Sequence, residues 1–286
     1  MEKKILITSD STTDLSPELK EKYNIKILPL GVTLGDEVFQ DGVNISADML
    51  YEYYEKTGKL PKTSAVNIAE ASDFFEQYVN EGYTIIHFTI SSEMSNTYQN
   101  CCIAAESFDN VHIVDGHNLS TGGGLVVLTA AEMAEKGATV EEIIAKVNEV
   151  IPCVDASFVI DNLEYLYKGG RCSAVSALGA NLLKLKPCIH VANGKMSVGK
   201  KYRGKYKDTL IEYVKEHLGD GSDVQLDKIF ITHAGCDQDI IDAVKAQVES
   251  QAKFENIYIT RASCTISSHC GRNTLGILFI RKSPIA

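Results

Sequence analysis

The segment 91–99 carries hydroxyl groups at a position where an anion could bind. It follows an apolar run, 83–90, that predicts a buried strand, and it leads into a segment, 96–108, that predicts a helix. Free backbone N–H groups and the positive end of the helix dipole point towards such a turn. Ser95 stands where the N-cap is expected, so its hydroxyl either caps the helix or contacts a ligand.

Two further segments offer side chains of the same kind. Thr63 and Ser64 lie in a polar stretch before a helix predicted over 68–79, where capping is again the alternative to ligand binding. Ser268 and His269 lie in a hydroxyl-rich segment that we expect to be a loop between the last two strands. An imidazole at such a place either makes a structural contact or takes part in a binding site.

The elements that must position these side chains alternate between strand and helix over residues 1–150. This alternation predicts an α/β domain in which a doubly wound parallel sheet has helices on both faces. Sites in such sheets gather at the carboxyl ends of the strands, where several of the polar segments are expected. A single strand is predicted over 26–34.

The pattern changes in the second half of the chain. A helix is predicted over 174–185, and Asn193-Gly194 between two apolar runs indicates a β-hairpin. Hairpin and mixed connections predict a C-terminal α/β domain with a mixed or antiparallel sheet. We therefore expect two domains, 1–155 and 156–286.

Charge and composition exclude several classes of partner. The chain has 28 basic and 38 acidic residues, a formal net charge of -10, which argues against binding to nucleic acid or to anionic membranes. No apolar run approaches the roughly 20 residues of a membrane span, so no stable membrane insertion is expected. The amino terminus enters a strand at once without a signal peptide, which predicts a cytoplasmic protein.

Cysteines and glycines give no sign of a metal or nucleotide. The eight cysteines form no C-x-x-C pair and no His/Cys spacing typical of zinc, so we expect reduced, mostly buried thiols and no metal. The glycine run 122–124 matches neither the dinucleotide-binding nor the P-loop pattern. No cofactor is predicted.

Taken in order, the polar segments resemble those of the DegV family, which includes the fatty-acid-binding subunits of bacterial fatty acid kinase. No single motif decides the resemblance; it rests on order and spacing over nearly the whole chain. The residues that carry it are Thr8 to Thr12, Asp14-Leu15, Leu28-Pro29-Leu30, Thr63-Ser64, Ile90-Ser91-Ser92, Ser95, Thr97-Tyr98-Gln99, Leu166, Lys168 to Arg171, Ser173, Lys186-Pro187, His269, Gly271 and Leu275-Gly276.

The resemblance implies a fold and a ligand. The family fold has two α/β domains with a long-chain fatty acid in a tunnel between them, and its carboxylate-binding threonine, serine and histidine map to Thr63, Ser95 and His269. Asn96 stands where the family usually has glycine, which could alter how the backbone approaches the ligand. The fatty-acid-binding residues expected are Thr63, Ser64, Ser95, Asn96, Ser268 and His269.

The resemblance also implies a carrier and not an enzyme. The bound acid would be presented to a separate kinase for acyl-phosphate formation, with Lys168, Arg171 and Arg203 as the residues expected to dock that partner. The physics agrees, because a carboxylate in an apolar cleft must be hydrogen-bonded or it protonates. The basic residues could equally form a solvated surface.

Two alternatives stay open at this stage. The ligand could be another acidic lipid or amphiphile. The chain could also be an acyl hydrolase that pairs His269 with Ser95, or with Cys264 or Cys270, as nucleophile and base. The G-x-S-x-G pattern of many hydrolases is missing. A stand-alone kinase is disfavoured because no phosphate-binding glycine loop is present.

Overall fold

The structure is a computed structural model that describes residues 4–172, 175 and 185–285. The helix predicted over 174–185 lies almost wholly outside the described residues. Within them, none of the helices is both long and apolar enough to span a membrane.

The first sheet has four parallel strands in the order β2-β1-β6-β7. The chain leaves β1 in one direction and later returns to its other side, so the sheet is doubly wound, as predicted. Separate apolar clusters cover its two faces, one built on Ile7 and Phe88, the other on Ile85 and Phe75. The strands are β1 (Lys4–Asp10), β2 (Lys26–Leu28), β6 (Tyr83–Thr89) and β7 (Val111–Asp115).

The prediction of one strand over 26–34 was wrong, because the chain changes sheet at Pro29-Leu30. Proline has no N–H to give to a strand ladder, so the parallel pairing ends before it. The chain continues in a small antiparallel sheet of order β4-β3-β5, which places Thr63 opposite Val32. Its strands are β3 (Gly31–Leu34), β4 (Glu37–Gln40) and β5 (Lys62–Ser64).

The third sheet has six strands in the order β10-β9-β8-β13-β11-β12. Only the β11–β12 pair among these is parallel, so the sheet is mixed, as predicted. Asn193 and Gly194 both have positive φ, which is the geometry of a tight hairpin turn between β9 and β10. The strands are β8 (Val154–Ile160), β9 (Lys186–Ala192), β10 (Lys195–Tyr202), β11 (Val224–Ala234), β12 (Asn256–Arg261) and β13 (Thr274–Arg281).

Helices connect the strands and cover the sheets. Thr139 forms a capping box with Glu142, each side chain accepting the other's backbone N–H. The helices are α1 (Pro17–Lys22), α2 (Ala47–Thr57), α3 (Ile68–Asn80), α4 (Thr97–Ala105), α5 (Ser120–Glu135), α6 (Val140–Val150), α7 (Glu164–Gly169), α8 (Tyr206–Leu218), α9 (Gln238–Gln251) and α10 (Cys264–Cys270).

Two local predictions near the candidate site were wrong. The expected loop over 264–271 is helix α10, whose hydroxyls turn back onto their own backbone: Ser268 Oγ donates to the carbonyl of Cys264 at 2.8 Å. Ser95 is not the N-cap of α4, because Asn96 takes that position. The Ser95 hydroxyl still accepts the N–H of Thr97, the first helical residue, at 3.2 Å.

One apolar cluster joins the first and third sheets. It contains residues of β1 and α5 together with residues of β8, β11 and β13. Polar contacts cross the same seam: Thr121 Oγ1 lies 2.6 Å from Thr232 Oγ1, and Lys228 Nζ lies 2.9 Å from Glu132. Helix α5 therefore lies between the two halves of the molecule. The domain limit between residues 155 and 156 stays a prediction, and β8 enters the third sheet at Val154.

Candidate functional site

A small cavity lies where β5, the turn after β6 and helix α10 meet. It has a volume of about 50 Å³ and is lined by Thr63, Ser95 and His269 among others. These residues come from three distant parts of the chain, so the fold brings together the side chains that the sequence nominated. Their role in holding a carboxylate stays a prediction.

His269 is the centre of the polar end of this cavity. Its Nε2 lies 2.8 Å from Thr63 Oγ1. Its Nδ1 is out of contact with water and has no hydrogen-bond partner within the described part of the chain. Gly169, the last residue of α7, packs against this ring so closely that a Cβ there would lie 2.5 Å from Nδ1. A buried ring nitrogen without a partner is unusual in a folded protein, and here it faces the backbone of α7.

The electrostatics of the cavity favour a neutral imidazole beside one cation. Burial, reinforced by the nearby positive charge of Arg171, lowers the pKa of His269 to about 4. The ring is therefore neutral at pH 7 and has one N–H. Among the described lining residues Arg171 is the only one with a formal charge, and none is acidic. The field at this end of the cavity therefore favours an anion.

Ser95 lines the same cavity as His269 and Thr63. Its Oγ is 2.9 Å from Thr97 Oγ1, so two hydroxyls and the first N–H of α4 form one connected group. A hydroxyl can donate one proton and accept two. Ser95 can therefore keep its bond from the Thr97 N–H while it turns its proton towards a ligand.

Buried carboxylates hold helix α10 in place, a role that was not predicted for them. Asp41 accepts the N–H groups of Cys264 and Thr265 at 2.8 and 2.9 Å, and Asp14 accepts that of Ser263 at 2.8 Å. These are the free N–H groups at the start of a helix. No local signal in the sequence links Asp41 to Cys264, which lies 223 residues away.

Asp10 performs a similar task at the end of β1. It accepts the N–H of Ile90 at 2.7 Å and bonds to both the N–H and the hydroxyl of Thr12. Burial raises its pKa to about 6 against the effect of these hydrogen bonds. Asp10 thereby connects the first strand to the turn that carries Ser95.

The β9–β10 hairpin closes one side of the cavity. Ser91 Oγ donates to the carbonyl of Gly194 at 2.7 Å, and Lys195 forms an ion pair with Glu93 at 3.3 Å. Met196, two residues after Gly194, lines the cavity. The turn after β6 and the hairpin tip therefore hold the cavity wall together across the two halves of the chain.

The other nominated residues lie at different distances from this centre. Ser64 lines the cavity, whereas Asn96 is exposed and Ser268 is buried within α10, and neither is among the lining residues. Arg171 is exposed at the cavity and donates to the carbonyl of Gly169 at 2.9 Å. The remaining two are Arg203, which is exposed after β10, and Lys168, which is paired with Glu164 at 2.6 Å.

The pairs needed for a hydrolase are not formed by these side chains. Ser95 bonds to Thr97, and the Nε2 of His269 bonds to Thr63, so Ser95 has no base as a hydrogen-bond partner among the residues that the structure describes. Burial raises the pKa values of Cys264 and Cys270 to about 12, which keeps both thiols protonated. With a low pKa of its own, His269 is also a weak base.

The apolar end of the cavity continues towards the third sheet. A second cavity of about 20 Å³ shares Leu119, Ile266 and Cys270 with the first and reaches Phe158 and Leu278. Both are far smaller than the roughly 300 Å³ or more of typical ligand pockets. The predicted tunnel therefore stays a prediction, and a long ligand requires these walls to move apart.

Comparison with known proteins identifies the family. The DegV family model matches residues 4–282. A DegV domain-containing protein of Clostridium acetobutylicum is 33% identical over 282 residues, 98% of this chain and 99% of that protein. A protein of Thermotoga maritima named as a fatty acid-binding protein is 31% identical over 281 residues, 96% of each chain.

A solved structure agrees with the fold as well. The DegV family protein of Thermus thermophilus, described by its fatty acid binding, superimposes with a TM-score of 0.91 at 25% identity and covers 97% of this chain and 99% of its own. The match therefore extends over both halves of the molecule and all three sheets. Since the family model spans nearly the whole sequence, the chain belongs to the DegV family.

Proposed function

We propose that this protein binds a long-chain fatty acid, holds its carboxylate with Thr63, Ser95 and His269, and presents it to a separate kinase. The observation that carries the proposal is the polar end of the cavity. It joins the hydroxyls of Thr63 and Ser95, the imidazole of His269 and the guanidinium of Arg171, and the described lining contains no acid. Relatives in Thermotoga maritima and Thermus thermophilus carry names that state fatty acid binding.

The hydrogen-bond inventory fits a carboxylate. With its proton on Nε2, His269 donates to Thr63 Oγ1, which leaves the Thr63 hydroxyl free to turn its own proton towards a carboxylate. Ser95 supplies another donor while it accepts from Thr97. An ionised carboxyl group only accepts, and each bond to it contributes about 1.5–3 kcal/mol. Arg171 adds a favourable charge at the cavity.

The walls around the apolar end are of a kind that can rearrange. Met94 and Met196 both line the cavity, and methionine side chains adapt their shape more readily than branched ones. Each buried CH₂ of an acyl chain contributes about 0.8 kcal/mol, so a long chain can offset the cost of separating these side chains. We therefore expect ligand binding to enlarge the cavity from about 50 Å³.

The first experiment identifies the ligand. A lipid extract of the purified protein, read by mass spectrometry, should contain a long-chain fatty acid. Delipidated protein should then bind palmitate at least about tenfold more tightly than hexadecanol, which has the same chain and no carboxylate. Equal affinity for the two, or no binding of either, would contradict the proposal; a different acidic lipid in the extract would replace the fatty acid as ligand.

The second experiment concerns the kinase. In acyl-phosphate formation a carboxylate oxygen attacks the γ-phosphorus of ATP, the bond to the β–γ bridging oxygen breaks, and ADP leaves. Hydroxylamine should trap the acyl phosphate when loaded protein and ATP are mixed with lysate of the source organism, and not with the protein alone. Trapping of acyl phosphate in the absence of lysate would show that this chain catalyses the reaction itself.

Variants locate the docking surface for that kinase. Arg203→Glu should lower acyl-phosphate formation in the lysate assay without changing the affinity for palmitate, because Arg203 is exposed and does not line the cavity. Lys253→Glu makes the same charge change at another exposed position and is the matched control. Equal rates for the two variants would remove Arg203 from the docking surface.

A further inference from the structure

A second cluster of reactive side chains lies against the β9–β10 hairpin, on the face opposite the cavity lined by Thr63, Ser95 and His269. Cys188 and His190 are two positions apart on β9, so their side chains lie on the same face of the strand. His217 faces them from the last turn of α8. One ligand atom from each of the three lies within 4.8 Å of the other two. The proposed fatty acid site uses none of these residues.

We propose that Cys188, His190 and His217 bind a zinc ion. A thiolate and two imidazoles are the ligands that zinc prefers, and three protein ligands leave a fourth position for water or another group. The spacing is already close to that of a metal site. Cys188 Sγ lies 3.6 Å from His217 Nε2, and bond lengths of about 2.3 and 2.0 Å at a tetrahedral angle give a separation of about 3.5 Å.

Neighbouring groups orient the histidine on α8. The Nδ1 of His217 lies 3.3 Å from Ser157 Oγ, which is in turn 2.8 Å from the hydroxyl of Tyr213. This contact turns Nε2 towards Cys188. Ligating histidines commonly have a hydrogen-bond partner of this kind on the nitrogen that does not bind the metal.

The charge of the surroundings tolerates a cation. Asp155 lies 4.0 Å from the Nδ1 of His217, and the same carboxylate accepts from Arg281 at 2.8 Å. Glu216 lies on the same turn of α8 and pairs with Lys200. Zinc binding would release the proton of the buried Cys188 thiol.

The spacing of these three residues along the chain explains why no metal site was predicted from the sequence. Zinc patterns are recognised as paired cysteines or histidines two to five residues apart. Here the near pair is Cys-x-His on one strand, and the third ligand follows on a helix after the hairpin's second strand. Only the packing of α8 on β9 brings the three together.

Cobalt is the probe that reports the ligands. Full-length protein, stripped with a chelator and kept reduced, should bind one equivalent of Co²⁺ with a sulfur-to-metal charge-transfer band in the near ultraviolet and visible bands of a tetrahedral site, and Zn²⁺ should displace it. Cys188→Ser should abolish the charge-transfer band, and His190→Gln and His217→Gln should remove stoichiometric binding. Ser157→Ala should weaken binding by about tenfold.

Cys236→Ser is the matched control, because Cys236 is a half-buried thiol in the same half of the molecule that is outside the cluster. It should leave the spectrum unchanged. Far-ultraviolet circular dichroism checks that each variant is folded, and His190→Gln, at the half-exposed position, is the substitution least disturbing to the core. Absence of a charge-transfer band in the wild type, or the same band in Cys188→Ser, would overturn the proposal.

Discussion

The two ends of helix α10 show opposite ways of using polar groups. At its beginning, Asp41 and Asp14 accept the backbone N–H groups of three successive residues, and their hydrogen bonds are closed within the protein. At its end, His269 makes one bond to Thr63 and leaves its other nitrogen without a partner in the described part of the chain. The first end positions the helix, and the second places the contact between Thr63 and His269 on the wall of the cavity.

The two ends also respond to pH in opposite directions. Burial raises the pKa of Asp14 to about 7, so its stabilising effect is present at low pH and is lost as pH rises through that value. Burial lowers the pKa of His269 to about 4, so its contribution is present above the usual histidine range and is lost as pH falls through 4. One short helix is thus held at its beginning by buried acids and ends in an imidazole that is neutral at pH 7.

The largest expected effect comes from removing the anchor at Asp41. Asp41→Ala leaves the N–H groups of Cys264 and Thr265 and the hydroxyl of Ser11 without their buried acceptor. Each unsatisfied group costs about 1–3 kcal/mol, so the free energy of unfolding should fall by roughly 3 kcal/mol or more. Urea denaturation measures this loss.

Asp36→Ala is the matched control, because Asp36 is exposed in the turn between β3 and β4. Its effect should stay within about 0.5 kcal/mol. If the two substitutions cost the same, α10 is not held by its buried acceptor, and the contrast between its ends is lost.

The second effect is a change in pH dependence caused by Asp14→Asn. Asparagine can accept from Ser263 and donate to Ser120, and it tolerates the positive φ of this position, so the fold should be kept. Because the folded state holds the Asp14 proton more tightly than the unfolded chain, wild type should lose stability relative to the variant between about pH 4 and pH 7. The difference should be on the order of 2–3 kcal/mol.

Unfolding curves in urea at several pH values measure this difference. Below pH 4 both forms are neutral at this position, and their stabilities should approach each other. A constant offset between the two proteins at every pH would show that Asp14 does not titrate in this range.

Much of the fold could be predicted from local patterns. The strand at 274–281 and the capping box at Thr139 follow from the residues that form them. Helix α10 could not, because serine and threonine compete for backbone hydrogen bonds and usually indicate a loop. Its N-terminal acceptors, Asp41 and Asp14, are remote in sequence, and their contacts depend on the assembled fold.

The sequence was enough to predict which residues line the site, but not how their side chains contact one another. Thr63, Ser95 and His269 were nominated by polar segments and by family resemblance, and the fold places all three on one cavity. The contact between Thr63 and His269 joins residues 206 positions apart, so no rule based on spacing in the sequence could predict it. The close packing of Gly169 on the ring had no signal in the sequence either.

The third prediction concerns the end of helix α10, where His269 contacts Thr63. Thr63→Val keeps the shape of the side chain and removes its hydroxyl, which should weaken palmitate binding by about tenfold and change stability much less than Asp41→Ala does. Thr33→Val is the matched control on the neighbouring strand β3, outside the cavity lining, and should leave affinity unchanged. Titration calorimetry with delipidated protein measures both. A stability loss as large as that at Asp41 would show that Thr63 is an anchor too.

The smallest effect is expected from Gly169→Ala. The added Cβ would lie 2.5 Å from the Nδ1 of His269, so the ring must shift and its bond to Thr63 must lengthen. The affinity for palmitate should fall severalfold while the helix itself gains propensity. Gly123→Ala makes the same change inside α5, where the nearest side-chain atom is 3.6 Å away, and should leave affinity unchanged. If both variants bind palmitate as wild type does, the position of the imidazole ring does not govern binding. The contrast between the two ends of α10 would then have no bearing on ligand affinity.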